Sequence, residues 1–380
     1  MNHRLILTGL AAAALASCGG EERPRQEGPP LTLAAIDSVE LQENDSLYLG
    51  APTHMTVGAD GDLYVSDVMN GHVLRFSRDG RPVARYGRRG RGPGEMGGPV
   101  ATTLMGDSLL VAADWRNGRT SVFDRNTGAF VRSTPLEGYP LWMQVVGDTI
   151  WMSDVNITRK TSLAAWPTAQ DSVRYLGTLP MEYVKSPILL ESHPYATMLR
   201  TGDTILLGYT GHRALFLLDP GGAVFDTVEV PAVRRRGVPE DILERFSEPL
   251  ENDEIASMGS ALVALHRLPG GEVAAFYLDV TVDGRLITAD GFLSVLSPDF
   301  RSACVDIPFE FRRDGRPVVA FRGDTLFTLE QRIVSETRAV SSVRSYRIDT
   351  SRCRWLPVGT GGAAASGRGA MAASSAGLPG

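Results

Sequence analysis

Few residues in this chain have the type and spacing of a reaction centre. Of six His, His54, His193, His212 and His266 fall in or near apolar strand-like runs, and His72 falls on a later run of the first set. No His-Glu-x-x-His, Cys-x-x-Cys or paired-His spacing occurs, so no metal site is assigned. Neither a phosphate-binding Gly-x-x-x-x-Gly-Lys-Ser/Thr loop nor a Gly-x-Ser-x-Gly nucleophile turn is present. No catalytic residue and no cofactor are therefore expected. Acids recur at the ends of apolar runs, at Asp67, Asp114, Asp154, Asp279 and Glu330. Such repetition argues against catalysis. An Asp at this point holds a turn by accepting backbone N–H groups. Two Arg clusters stand out: Arg85, Arg88, Arg89 and Arg91 around the Gly-rich stretch Gly87 to Gly98, and Arg234, Arg235 and Arg236. Guanidinium groups grip carboxylate or phosphate through paired hydrogen bonds, and glycine-rich amides can cradle the same anions. The plainer reading of the first stretch is a solvated crossover whose Gly residues adopt positive φ. Arg88, Arg89, Arg91, Arg234, Arg235 and Arg236 are the ligand-binding candidates. Trp115-Arg116 and Trp142 could line a binding face or pack inside it.

The elements that would position these residues form a repeat. Gly plus an acid, followed by an apolar strand, begins at Gly61-Asp62, Gly106-Asp107, Gly147-Asp148, Gly202-Asp203, Gly271-Glu272 and Gly323-Asp324. Gly-Asp is a tight turn signal between strands. A short apolar strand precedes each turn, such as His54 to Val57. Two more follow the first copy, at His72 to Phe76 and Pro82 to Tyr86. Six repeats of four antiparallel strands predict an all-β six-bladed β-propeller. Leu31 to Leu41 reads as a strand that closes the ring against the C-terminal end of the fold, near 345–357. Pro231 to Ser260 breaks the pattern, and Pro239 to Phe246 predicts one short inserted helix, with Pro and acids in its first turn.

Composition fits a folded body. Hydrophobic residues make up 43% and charged residues 22% of 380, which excludes disorder, collagen, coiled coil and a multi-span membrane protein. The net charge of −6 gives no reason to expect nucleic acid. Arg4 precedes an apolar run from Leu5 to Ala16, the pattern of a secretory signal. The run ends Leu15-Ala16-Ser17-Cys18, which resembles the lipobox of bacterial lipoproteins and implies a lipid on Cys18. Gly19 in place of Asp implies the outer membrane. Residues 18–30 read as a tether. Residues 359–380, rich in Gly, Ala and Ser, read as a disordered tail. The propeller then spans 31–358, with the insertion at about 231–260.

The first repeat, Pro52-Thr-His-Met-Thr-Val through Asp79-Gly80, resembles an NHL repeat. The stretch Tyr86-Gly-Arg-Arg-Gly-Arg-Gly-Pro-Gly-Glu-Met96 is similar to the Gly-x-Gly-Pro-Gly-Glu loop of a bacterial family of six-bladed propeller lipoproteins. That resemblance implies fold and envelope location more than chemistry. Peptidyl-hydroxyglycine lyases, which are NHL-like, hold zinc with three His, one in a Pro-His-Ser-Leu stretch. The matching stretch here is Pro99-Val100-Ala101-Thr102, without His. Gluconolactonase-like propellers hold a divalent metal with Glu, Asn and Asp in the channel.

The expected function is a lipid-anchored envelope module, facing the periplasm or cell surface, that binds or scaffolds a protein, peptide or glycan. The alternative is a channel-site enzyme, lactonase-like or lyase-like. The two remaining cysteines, Cys304 and Cys353, are each placed at the start of an outer strand in neighbouring blades, too far apart to pair. The lipobox yields the first prediction. Cys18→Ala leaves unprocessed precursor and abolishes incorporation of labelled fatty acid; normal membrane partition of the variant would overturn it.

Overall fold

The computed structural model describes Leu33 and residues 35–185, 196–239, 260–283, 286–309, 318–335 and 338–361. From Leu31 onward the chain forms one compact unit. It is a six-bladed β-propeller. Blade 1 is Pro52–Val57, Leu63–Asp67, His72–Phe76 and Pro82–Tyr86, in that order from axis to rim. Blades 2 and 3 repeat the order, beginning at Pro99–Met105 and Met143–Val146. Blades 4 and 5 begin at Ala196–Thr201 and Ser260–Arg267, and blade 6 at Val318–Arg322. Inner strands of neighbouring blades touch all round, including blade 6 against blade 1.

Each blade is a twisted sheet that cannot cover both of its own faces, so burial happens between blades. The described residues form six apolar clusters, and each fills one seam. Leu63, Val65, Leu329 and Val343 lie between blades 6 and 1, and Tyr64, Tyr86, Leu110 and Phe123 between blades 1 and 2. Trp166 and Met152 fill the seam between blades 2 and 3, and Tyr183 with Tyr209 that between blades 3 and 4. Tyr183 sits on the short helix Met181–Lys185, an element the repeat gives no signal for. The helix expected near Pro239 to Phe246 lies almost wholly outside the described residues. Pro239 itself is not helical.

The N-terminal strand closes the ring in blade 6 as expected, but its partners are Ser342 to Tyr346 and not the whole of 345–357, because the chain beyond Arg347 leaves the blade. Ala35–Glu40 is the fourth strand of blade 6, antiparallel to Arg338–Arg347, with Ala35 opposite Tyr346 and Glu40 opposite Ser342. The strand itself is mostly exposed, but Leu33 and Leu41 at its two ends are buried. Gly80, at φ +82°, turns against it; a Cβ there would stand 2.2 Å from the Glu40 carbonyl oxygen.

Because the N-terminal strand takes the rim position of blade 6, the chain beyond Arg347 is displaced from its own blade. It runs back across the neighbours. Leu356–Pro357 pairs with Ser302–Pro308 as a fifth strand of blade 5, and Gly359–Gly361 pairs with Val224–Glu229 as a fifth strand of blade 4. Two expectations change here. The fold extends through Gly361, three residues into the stretch read as tail; 362–380 lie outside the described residues. Cys353 does not start an outer strand of blade 6. It lies on the returning strap and forms a disulfide with Cys304, at a Cα separation of 5.5 Å. The expectation of no bond placed Cys353 one blade too far round the rim. The bond closes a loop around the three C-terminal strands of blade 6, across a sequence separation of 49. Cys353→Ser is expected to lower stability by about 2–5 kcal/mol, read by denaturant unfolding with and without reductant. Equal stability of variant and wild type under oxidising conditions would remove the strap from the account.

Candidate binding face

Strand direction sorts the loops. Strands alternate in each blade, so the connections after second and fourth strands all emerge at one end of the ring. Three acids hold that end together. Asp67, fully buried, accepts from the backbone N–H groups of Gly50 at 2.6 Å, Ala51 at 3.0 Å and Met69 at 2.9 Å, and from Asn70 Nδ2 at 2.8 Å. It thus ties the loop entering blade 1 to the loop after the second strand. Asp114 does the same for blade 2 through Gly97 N at 3.1 Å, Gly98 N at 2.8 Å and Asn117 Nδ2 at 2.6 Å. Asp154 accepts from Tyr139 N at 2.9 Å, with the Asn156 side chain also favouring its charged form. Gly138 at φ +103° makes room for it, since a Cβ there would lie 1.9 Å from Asp154 Oδ1. Blades 5 and 6 depart from this use. Asp279 pairs with Arg236 at 2.8 Å, and Glu330 lies 3.8 Å from Arg344.

The two Arg clusters lie on this same end but half a ring apart. One crosses from blade 1 to blade 2 and the other from blade 4 to blade 5. They do not form one site. In Gly87 to Gly98 the amides suited to an anion are already filled, because Glu95 accepts from Arg91 N at 3.0 Å and Gly92 N at 2.9 Å. The Gly92 N–H, with the Arg88 guanidinium 3.0 Å away, holds the Glu95 carboxyl below the usual carboxylate range. Arg89 donates to the Met69 carbonyl at 3.0 Å, and the exposed Arg91 side chain has no partner among the described residues. Gly87 and Gly94 have φ of +73° and +72°, in keeping with a crossover.

The run at 234–236 is structural. Arg235 is 1% exposed. Its guanidinium donates to the carbonyls of Tyr209 at 2.9 Å, His212 and Ser260, and sits 5.2 Å from the centre of the Tyr277 ring. Burial pushes its pKa down from the usual arginine value. Arg234 lies 5.9 Å from the Phe292 ring centre, and its backbone N–H reaches Asp306 at 3.2 Å. All three side chains brace blade 5.

What they brace was not visible in the repeat. The second and third strands of blade 5, Val273–Asp283 and Leu286–Leu296, stay paired out to Asp283 opposite Leu286. Their inner neighbour is described from Ser260, opposite Asp279. Blade 6 has the same design, with Thr325–Ser335 and Arg338–Arg347 paired out to Ser335 opposite Arg338. Two ribbons therefore rise beside each other from the loop end. On the second, Ile333 is 81% exposed. Gln331 ties its base to the Leu49 carbonyl at 2.9 Å. Blades 1 to 3 stay low and carry a different surface. Trp115 is 39% exposed, lies 5.2 Å edge-on to Tyr139 and carries the Arg116 guanidinium 5.5 Å from its ring centre.

The histidines are dispersed. His54 is buried beside the Thr102 hydroxyl at 3.3 Å and 5.6 Å from Trp142, and burial pushes its pKa down to about 4. His266 stacks on Phe321 at 4.9 Å, His212 lies among Tyr183, Tyr209 and Phe216, and His72 is 3.7 Å from Asp67. His193 lies outside the described residues. Among the described residues no three His, Cys, Asp or Glu side chains gather as a metal-holding group.

No family model matches the chain, and no curated protein does. Solved structures do match. A member of the DUF4221 family from Bacteroides vulgatus aligns with 88% of this chain and 99% of its own, at 10% identity and a TM-score of 0.59. A Bacteroides fragilis protein described as a "putative exported protein" aligns with 83% of this chain and 95% of its own, at 10% identity and a TM-score of 0.55. The likeness is one of fold. A streptogramin B lyase structure aligns at 13% identity over 83% of this chain and 87% of its own, with a TM-score of 0.46, too low to bear on chemistry.

Two of these acids, Asp154 and Asp67, make opposite predictions. Burial raises the Asp154 pKa to about 6, against 3.8 for a free Asp. A raised folded-state value means ionisation opposes folding, so the cost is full above pH 6 and gone below pH 4. Asp154→Asn keeps the acceptor for Tyr139 and removes the charge. It is expected to gain up to about 3 kcal/mol at pH 8 and nothing near pH 4. Asp67→Asn places an NH₂ among donors and is expected to lose about 1–3 kcal/mol at pH 8. Thermal unfolding across pH reads both; a destabilised Asp154→Asn at pH 8 would contradict the charge argument.

Proposed function

We propose that this chain is a lipid-anchored envelope propeller that binds a protein, peptide or glycan partner through its loop end. The observation that carries the reading is the shape of that end. Two ribbons extend blades 5 and 6 at that end, with Ile333 exposed on one, and the exposed Trp115 with Arg116 lies on the same end at blade 2. Exposed Trp and Arg on rigid supports are the residue types that dominate binding energy at interfaces. The anchor part of the reading rests on Cys18 and the signal before it. It is supported by the Cys304–Cys353 disulfide, which suits an oxidising compartment, and by the fold shared with the B. fragilis protein.

Site-specific photo-crosslinking in intact envelopes tests this. Crosslinkers replacing Ile333 and Trp115 are expected to give discrete adducts, and one replacing Asp107, on the opposite end of the ring, none. Arg116→Glu should weaken the Ile333 adduct, and Trp115→Ala should cost about 2 kcal/mol or more of partner affinity. Equal labelling from all three positions, or none from Ile333 and Trp115, would overturn the loop-end assignment.

A further inference from the structure

A second surface lies at the other end of the ring, where the Gly-Asp turns emerge. Between blades 6 and 1 the sheets splay and leave a groove of about 540 Å³, within the range of small-ligand sites. Its floor is apolar: Val39 of the closing strand, Phe327 and Val343 of blade 6, and Leu63 of blade 1. Charge is confined to the rim. Two of the three rim acids are neutralised by the protein. Asp60 is bound by Arg75 and Arg125, and Asp79 by Arg81 at 2.8 Å with the Ser77 hydroxyl at 2.5 Å. The third, Asp37, is exposed and accepts from the Ser38 N–H at 2.8 Å.

The rim cations have no carboxylate partner among the described residues. Arg78 is exposed. Arg322 donates to the carbonyls of Gly58 at 3.2 Å and Ala59 at 3.3 Å, which fixes its position and leaves its charge. Both flank Gly61. A Cβ on that glycine would stand 3.3 Å from Arg322 Nη1 and 3.4 Å from Arg78 Cβ. An apolar trough thus ends at the Arg322 guanidinium and the stem of the exposed Arg78.

We propose that this groove binds a single-chain amphiphile with an anionic head, its chain on Val39, Phe327, Val343 and Leu63 and its head at Arg78 and Arg322. Guanidinium pairs favour carboxylate or phosphate, and the apolar floor contributes by burial. The occupant would touch the closing strand, blade 6 and blade 1 together, so binding stabilises the ring where it closes. The site is separate from the loop end and stands or falls independently of the partner reading.

The probe is dodecanoate, added to the protein from residue 19 onward, with dodecyltrimethylammonium as the opposite-charge control. Dodecanoate is expected to raise Tm saturably and to slow amide exchange in Ala35–Glu40, and the control to do neither. Arg78→Glu, an exposed change, is expected to weaken dodecanoate by about tenfold or more, the loss of one charge-assisted contact. Thr325→Trp, which fills the groove, should abolish binding. Equal shifts from both amphiphiles, no shift from dodecanoate, or wild-type affinity in Arg78→Glu would each overturn the proposal. Should Thr325→Trp fail to fold, Arg78→Glu and the control decide alone.

Discussion

The antiparallel pairing of Ala35–Glu40 with Arg338–Arg347 is the constraint on which the other contacts depend. Each seam cluster is complete only if both blades that bound it are in place, and blade 6 has only three strands of its own. Without the closing strand the groove loses one wall and Gly80 its neighbour. The strand buries little along its length, so its hold comes from main-chain hydrogen bonds and from the leucines at its ends. A lattice of seams, each moderately apolar, is thus made mutually supporting by one peripheral pairing.

The loop end shows two answers to a common problem, which is how to fix turns that carry no core of their own. In blades 1 and 2 a buried carboxylate gathers N–H groups from two loops, and in blade 3 Asp154 holds the entering loop through Tyr139 N. In blade 4 the repeat has Tyr209 where the acid would be, and the polarity is reversed: Arg235 gathers carbonyls from both sides of the seam. Both devices put one ionic group at the convergence of several backbone dipoles. Hydrogen bonds to a charged group are roughly twice as strong as neutral ones, so one side chain can order two loops.

The sequence makes the repeat legible because a Gly-acid turn needs particular residues, whatever surrounds it. Blade number, ring closure and the turn-holding role of Asp67 and Asp114 follow from that local chemistry. What it leaves hidden depends on partners distant in the chain. Arg234–Arg236 look alike in sequence, yet one is buried, one ion-paired and one laid over an aromatic ring, because blade 5 offers each a different neighbour. Glu95 is visible beside the loop arginines, but not that its carboxylate occupies the amides an outside anion would need. The disulfide is hidden in the sequence because the N-terminal strand evicts the C-terminal chain from the rim of blade 6, which only the closed ring reveals. Asp283-Gly284 is itself a turn signal, and attention to it could have found the blade 5 ribbon.

The Cys304–Cys353 bond also sets how the ring bears load. A pull on the N-terminus reaches the propeller through Ala35–Glu40, and peeling that strand frees the seam between blades 6 and 1. The opposite seam of the same blade is bridged covalently, and the strap beyond it is stitched to the rims of blades 5 and 4. Tension would therefore open the propeller like a split washer at one defined gap. The other five seams would stay seated, and the gap could close again when the force is released.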